Sequence, residues 1–309
     1  MKTLPAVLAL LSISAFSADT LRIHEWGVVE LDREYQSASG ALKGNIDGNG
    51  NLRPMEFYEV EAPVVWFHGP SCSGDFTVTA CTGIVTAAQP LFDEDREVTG
   101  TGEAVCREFI WHDLVIGSPE NEEEEEEEER WAAEEALPEI SDGLWYGFEY
   151  AVPHWRSVGS ASVHHPSTGY NDGFLYYECS FRDMESYVRE GHGCNGVCLI
   201  FTGDGNEMKC SEATAAMGNV LTGEELAEGE ILEILMGWSG DELLEGEIVA
   251  LWNTWEPALG YRCLELGERV MVFPLTDAQV NDICTIDFQP ESDIPVEYYR
   301  LFLGMGQIP

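Results

Sequence analysis

The feature that most limits the possible folds of this chain is a series of runs of β-branched and aromatic residues, each bounded by Gly, Pro, Asn or Asp. Such residues favour the extended backbone of a strand, and the bounding residues favour turns. Most of the runs lie in the first two thirds of the 309 residues. Their spacing predicts an antiparallel sandwich or barrel-like sheets. The predicted strands are 21–31, 60–67, 76–79, 105–116, 145–152, 174–181, 197–202, 269–274 and 296–303.

Two helices are predicted later in the chain. The segments 222–225 (Thr-Gly-Glu-Glu) and 239–242 (Ser-Gly-Asp-Glu) each match a capping box, in which a hydroxyl and a glutamate satisfy the first free backbone amides. Apolar residues follow both segments at helical spacing, so each helix can cover one face of a sheet. We therefore expect an α+β, β-rich fold with a helix pair in the C-terminal third and a helical section at 222–256.

The N-terminus predicts export. Lys2 precedes an apolar run from Leu4 to Phe16, and small residues stand three and one positions before a break after Ser17. This pattern is typical of a cleaved signal peptide, which we assign to residues 1–17. The mature protein is then secreted or periplasmic, and no later stretch is long and apolar enough to form a membrane span. Residues 18–309 are expected to form a single β-rich globular domain.

The charge balance excludes one class of partner. The chain has 57 acidic and 15 basic residues and a formal net charge of -42. Such a surface repels phosphate backbones, so nucleic acid is not expected as a partner, whereas cations are. Residues 118–140 form an acidic low-complexity insertion with eight consecutive glutamates, Glu122 to Glu129, which predicts a solvated loop or an exposed, frayed helix.

The cysteines predict disulfide bonds. The chain has nine of them, and in an exported protein the default state is oxidised. An odd number leaves at least one thiol free, and Cys106, inside an apolar strand-like stretch, is the candidate for a buried free thiol. The expected bridges join Cys72 to Cys81, Cys194 to Cys198 or Cys210, and Cys263 to Cys284.

Residues 45–56 match a twelve-residue calcium loop. Oxygen-bearing side chains fall at positions one, three and five, glycine at position six, and a glutamate that can bind in bidentate fashion at position twelve. Asparagine at position one and Pro54 depart from the pattern, and an ordinary Asn-Gly turn is the alternative. The expected Ca²⁺ ligands are Asn45, Asp47, Asn49, Asn51 and Glu56.

Alternation along the first predicted strand separates two ionisable neighbours. Glu25 shares a face with apolar Ile23 and Val29, whereas His24 lies on the other face with Trp26. A carboxylate on an apolar face needs an arginine, a metal or a proton. We therefore predict a buried ion pair at Glu25, with a catalytic acid or metal ligand as the alternative.

Further histidines offer a second group of candidates. His154 and Arg156 lie close in sequence to His164 and His165, and three histidines within twelve residues supply metal ligands if their strands fold together. Histidines in turns are the alternative. The candidate catalytic residues are therefore His24, Glu25, His154 and Arg156.

The His-Glu-Trp-Gly tetrapeptide at 24–27 resembles the start of the mature region in a family of uncharacterised exported bacterial proteins. The likeness continues through 61–68, 154–156, 241–255 and 269–274. It departs at Val28-Val29, where such proteins more often carry Thr and Phe, and at the glutamate run. The resemblance implies export and no particular activity.

Two functions are consistent with these features. The first is a binding or structural role outside the cytoplasm, with calcium as a stabilising ion or with another cation or a carbohydrate as ligand, since the nine tryptophans permit sugar contacts. The second is a metal-dependent hydrolase that uses Glu25 and the histidines. Convergence of these side chains in one cleft would favour the enzyme, and their dispersal would favour binding.

Overall fold

The structure is a computed structural model that describes residues 19–30, 58–81, 83–99, 105–117, 148, 150–181, 196–216 and 219–308. The predicted signal peptide, the calcium loop at 45–56 and the acidic insertion at 118–140 lie outside these residues. The strands are β1 (Leu21–Glu30), β2 (Tyr58–His68), β3 (Cys72–Cys81), β4 (Gly83–Gln89), β5 (Glu94–Thr99), β6 (Val105–Ile116), β7 (Val163–His165), β8 (Tyr170–Asp172), β9 (Leu175–Phe181), β10 (Gly196–Asp204), β11 (Glu207–Ala216), β12 (Asn219–Leu226), β13 (Arg269–Pro274), β14 (Cys284–Pro290) and β15 (Val296–Ile308). The helices are α1 (Val152–Arg156), α2 (Glu228–Trp238), α3 (Glu245–Gly260), which continues into a π-helical turn (Tyr261–Glu265), and α4 (Asp277–Ile283).

The described strands form two sheets. The nine-stranded sheet has the order β12-β11-β10-β13-β15-β1-β2-β9-β4, and the six-stranded sheet has the order β14-β3-β6-β7-β8, with β5 also paired to β6. The β1–β15 pair is parallel, and the neighbouring pairs of both strands are antiparallel. The predicted β-rich α+β fold is confirmed, as stacked sheets and not as a closed barrel.

The nine-stranded sheet is buried on both faces, which makes the fold three layers deep. One face packs on the six-stranded sheet, where Ile23, Phe67 and Phe76 share a core. The other face is covered by α2 and α3, with Ile231 and Leu251 packed in a second core. The helix pair therefore covers the sheet as predicted. The described helices include none that combines the length and the apolar character of a membrane span.

The first predicted helix start is wrong by several residues. The segment 222–225 belongs to β12, where pairing with β11 satisfies backbone groups that a helix cap would otherwise serve. Helix α2 begins at Glu228. Its capping glutamate is Glu230, which accepts a 2.8 Å hydrogen bond from the backbone N–H of Ala227.

The second predicted helix start is also displaced. Ser239 is the C-terminal cap of α2, and a left-handed turn follows it because Gly240 has φ 69° and Asp241 has φ 60°. Helix α3 begins at Glu245, and Leu244 precedes it as the N-terminal cap. The predicted strand at 145–152 is wrong where it is described, since residues 148, 150 and 151 are in turns and Val152 begins α1.

The predicted Cys72–Cys81 bridge is wrong. Cys72 carries a free thiol and lies opposite Ile116 on β6. Cys106 is disulfide-bonded and is therefore not the buried free thiol that its apolar context predicted. Cys81 is the residue opposite it on β3. Antiparallel pairing brings together residues that are far apart in sequence, and it determines which residues lie opposite Cys72 and Cys106.

The predicted Cys263–Cys284 bridge is wrong because the two residues lie on opposite faces of the nine-stranded sheet. Cys263 packs in the core beneath the helices, whereas Cys284 packs between the sheets, and both are free thiols. Cys210 is also a free thiol beneath the helices. The Cys198 thiol, between the sheets, donates a hydrogen bond to the carbonyl of Ala213, and Cys194 lies outside the described residues.

A glycine in β3 permits close contact with β14. A Cβ atom on Gly74 would lie 2.3 Å from the backbone oxygen of Gln289. We expect Gly74→Ala to lower the free energy of unfolding by about 1–3 kcal/mol, because a backbone atom must move to admit the methyl group. Urea denaturation checks this. The control is Gly237→Ala, which adds a methyl group in open space within α2 and should slightly raise stability; equal losses in the two variants would contradict the clash.

Candidate metal centre

His24 and His68 come together because β1 and β2 are antiparallel neighbours. His24 lies opposite Trp66, two residues before His68 on β2, so both histidines project from the same face of the sheet. Their ring centroids are 4.5 Å apart. This is the face that α2 and α3 cover.

The third side chain, Glu247, comes from the first turn of α3. Its carboxylate accepts a 2.6 Å hydrogen bond from the backbone N–H of Leu244, the residue that caps the helix. The positive end of the helix dipole also favours a negative charge at this position. The capping interaction therefore holds the carboxylate at a defined point beneath the helix, facing the sheet.

The Glu247 carboxylate bridges the two imidazoles. His24 Nδ1 lies 2.9 Å from Glu247 Oε2, and His68 Nε2 lies 2.8 Å from Glu247 Oε1. Each of the three residues has one potential ligand atom, and these three atoms all lie within 4.8 Å of one another. His24 and Glu247 are buried, whereas the His68 side chain is 14% exposed. The site is thus enclosed except on the side of His68.

The electrostatics of the site favour an ionised carboxylate. Burial alone raises the pKa of Glu247, but hydrogen bonds from His24 and His68, with the attraction of their charges, outweigh burial and lower that pKa to about 2. The group is therefore a carboxylate at any physiological pH, which is the form that binds a metal.

One buried atom of the cluster is unsatisfied. His24 Nε2 makes no hydrogen bond with the residues that the structure describes. Buried polar atoms in native proteins nearly always have a partner. The hydrogen bonds to Glu247 therefore satisfy only one of the two ring nitrogens of His24.

The donor set fits a transition metal better than calcium. Two imidazole nitrogens and one carboxylate suit Zn²⁺ or Fe²⁺, whereas Ca²⁺ takes six to eight oxygen ligands. Zn–N distances of about 2.0–2.1 Å place neighbouring tetrahedral ligands about 3.3–3.5 Å apart. The present separations of 2.8–3.1 Å between Glu247 and the imidazoles need to widen by only a few tenths of an ångström.

Glu25 lies on the opposite face of β1, apart from the histidines. Its carboxylate accepts hydrogen bonds from the Tyr177 hydroxyl and from Arg300 Nε, and its side chain has no exposed surface. Arg300 stands beside it because Glu25 and Arg300 are register partners in the parallel β1–β15 pair. The structure thus shows the buried ion pair that strand alternation predicted.

The remaining candidates are dispersed. His154 lies on α1 with its Nδ1 3.3 Å from Asn253 Nδ2, and Arg156 on the same helix forms an ion pair of 2.8 Å with Asp172. The strand β7 carries the other two histidines. His164 contacts the Tyr170 carbonyl at 3.0 Å, and His165 contacts Asp93 at 2.7 Å. These side chains do not converge with His24.

The tryptophans that suggested sugar contacts are largely in the two cores. Carbohydrate binding needs exposed aromatic faces, and buried rings cannot provide them. The carbohydrate ligand therefore stays a prediction without support from these residues. The buried tryptophans are Trp26, Trp66, Trp111, Trp155, Trp252 and Trp255.

Sequence reasoning found His24 but missed its partners. Glu247 is 223 residues from His24 and 179 residues from His68. One local signal was available: Glu247 directly precedes Ile248 in a helix whose neighbouring residues form the apolar stripe. A glutamate beside such a stripe can be buried, and it then needs a partner.

Comparison of the chain with known protein families, curated proteins and solved structures found no match. The geometry of the site is therefore the basis for assigning a function.

Proposed function

We propose that this protein binds a divalent transition-metal ion, with Zn²⁺ as the reference ion, outside the cytoplasm through His24, His68 and Glu247. One observation carries the proposal: three side chains of metal-binding type, from β1, β2 and α3, place their ligand atoms within 4.8 Å of one another. Two of these side chains are buried. The predicted signal peptide supports the location.

Two further features support an ion at this place. The net charge of -42 raises the local concentration of cations around the protein. The partial exposure of His68 provides a side from which an ion can enter.

Binding is favoured over hydrolysis by the dispersal of the candidate catalytic residues. A hydrolase that used Glu25 together with the histidines would need these groups at one site. Glu25 instead contacts Arg300 between the sheets, and His24 lies beneath the helices. A separate calcium site at 45–56 would be additional to the transition-metal centre.

Metal binding to the purified mature protein tests the proposal. We expect one equivalent of Zn²⁺ to remain bound after desalting, as measured by elemental analysis, with calcium measured in the same samples. Calorimetric titration in millimolar Mg²⁺, which occupies exposed carboxylates, should give a single tight site. His68→Ala and Glu247→Gln should each weaken Zn²⁺ binding by about 100-fold or more, since each removes a ligand.

A surface histidine supplies the matched control. His112 lies between Asp75 and Glu94 at 3.0 and 3.3 Å, but it is 39% exposed. His112→Ala should leave the affinity unchanged. Co²⁺ in place of Zn²⁺ should show an absorption spectrum without a sulfur-to-metal charge-transfer band, which separates this site from the thiols. Absence of a stoichiometric site, or wild-type affinity in His68→Ala, would overturn the proposal. If Glu247→Gln does not fold, His68→Ala still tests it, because His68 is partly exposed and its replacement disturbs the core less.

A further inference from the structure

The proposed metal centre has a place for a ligand from outside the chain. His24, His68 and Glu247 supply three ligand atoms. Zn²⁺ in proteins is usually four-coordinate, and a site with three protein ligands leaves the fourth position to water or to an exogenous ligand. His24 and Glu247 are buried, so such a ligand enters on the side of His68. The residues beside His68 therefore determine which ligands reach the metal.

Arg22 lies beside His68 on this open side. The two residues are register partners in the antiparallel β1–β2 pair. Arg22 projects from the same face of the sheet as His24, because it precedes His24 by two residues on β1. Directly opposite residues have their Cβ atoms about 4.5–5.5 Å apart. The Arg22 side chain is 19% exposed, so it contributes to the surface next to His68.

Two contacts hold the guanidinium of Arg22 in place near the centre. Its Cζ atom lies 5.8 Å from the centroid of the Tyr299 ring, and that ring meets the His24 ring edge-on with centroids 5.4 Å apart. Arg22 Nε lies 3.3 Å from the carboxylate of Glu297, whose side chain is 47% exposed. Water screens such an exposed carboxylate, and a guanidinium has five N–H donors. Arg22 can therefore serve a further acceptor at the entrance.

The charge of Arg22 is unfavourable for the binding of a cation alone. Like charges repel, so a guanidinium beside a metal ion weakens metal binding. The chain has only 15 basic residues against 57 acidic ones, and one of the few lies at the entrance to the proposed centre. An anion between the metal and Arg22 would replace this repulsion with two attractions. Arginine forms strong, charge-assisted hydrogen bonds with carboxylates and phosphates.

We infer that the metal-loaded centre binds a small oxyanion, a carboxylate or a phosphate, with one oxygen on the metal and another on the guanidinium of Arg22. This inference rests on the proposed function, because without the metal the oxyanion loses one of its two partners. The net charge of -42 repels anions at long range, but physiological salt screens that repulsion beyond about 8 Å. Binding therefore depends on the two short-range contacts.

Absorption spectroscopy of the Co²⁺-loaded mature protein tests the inference. The protein is desalted and titrated at neutral pH with acetate, with inorganic phosphate and with chloride, since the visible bands of Co²⁺ change when a new ligand replaces water. We expect a saturable change with acetate or phosphate, and the two titrations show which oxyanion is preferred. Chloride has a single atom and cannot bridge the metal and the guanidinium, so it should bind about 10-fold more weakly or worse.

Replacing Arg22 separates its contribution from that of the metal. Arg22→Gln should weaken oxyanion binding by about 10-fold or more, because a charged hydrogen-bond donor is lost. The affinity for Co²⁺ should not fall, because a repelling charge has been removed. The matched control is Arg96→Gln, which removes an exposed arginine on β5 and should leave both affinities unchanged.

The outcomes distinguish failure of the inference from failure of the metal centre. Absence of a saturable change with both oxyanions, equal affinity for chloride, or wild-type oxyanion affinity in Arg22→Gln would overturn the inference and leave the metal centre standing. Failure of Co²⁺ to bind at all would overturn the metal centre and the inference together. The comparison with chloride uses the wild-type protein, so it decides the matter even if Arg22→Gln does not fold.

Discussion

Replacing Glu25 with glutamine is expected to lower the free energy of unfolding by about 3–5 kcal/mol. Glutamine keeps the shape of the side chain but removes the negative charge, so the guanidinium of Arg300 stays buried without its carboxylate partner. The Tyr177 hydroxyl also loses its charged acceptor. Urea denaturation followed by tryptophan fluorescence measures the change.

Two variants define the cause of that loss. Arg96, in an exposed ion pair with Glu108, is the matched control, and Arg96→Gln should cause no measurable change. Glu25→Gln/Arg300→Met removes both charges and should be less destabilised than the sum of its two single variants. Wild-type stability in Glu25→Gln would show that the pair does not stabilise the strand contact between β1 and β15.

Trp155→Ala is expected to lower the free energy of unfolding by about 3–5 kcal/mol. The indole is fully buried and is stacked on Tyr176, with ring centroids 5.4 Å apart. Its Nε1 donates a 2.9 Å hydrogen bond to Thr254 Oγ1 on α3. The side chain therefore joins α1, the nine-stranded sheet and α3, and its loss leaves a cavity where they meet.

Trp155→Phe distinguishes packing from hydrogen bonding. Phenylalanine retains an aromatic ring against Tyr176 but cannot donate to Thr254, whose hydroxyl still donates to the carbonyl of Ala250. We expect it to lose clearly less stability than Trp155→Ala, in the same urea experiment. If the free energy of unfolding of the alanine variant were within 1 kcal/mol of the wild-type value, the indole would not be the packing centre that its burial indicates.

Local periodicity predicted eight of the fifteen described strands and the surroundings of Glu25. Alternation at every second residue placed Glu25 among Ile23 and Val29, and the structure has all three between the sheets. The signal is reliable there because a buried strand leaves no choice of face. Capping patterns were less reliable: 222–225 has the residues of a helix start, but pairing with β11 competes for the same backbone groups.

Contacts between distant segments could not be predicted in this way. Closeness in sequence pairs Cys263 with Cys284, yet the two residues lie in cores on opposite faces of the nine-stranded sheet. The metal centre is also formed by distant segments, since Glu247 joins His24 through the docking of α3 on the sheet. Both depend on three-dimensional arrangement, which no local pattern of residues encodes.

The parallel pairing of β1 with β15 has a consequence for the order of folding. These strands lie side by side within the nine-stranded sheet, with Leu21 opposite Val296. While the chain is synthesised from its N-terminus, one edge of β1 stays unpaired until the segment that forms β15 has been made. The nine-stranded sheet can close only after that point, so the topology itself delays folding.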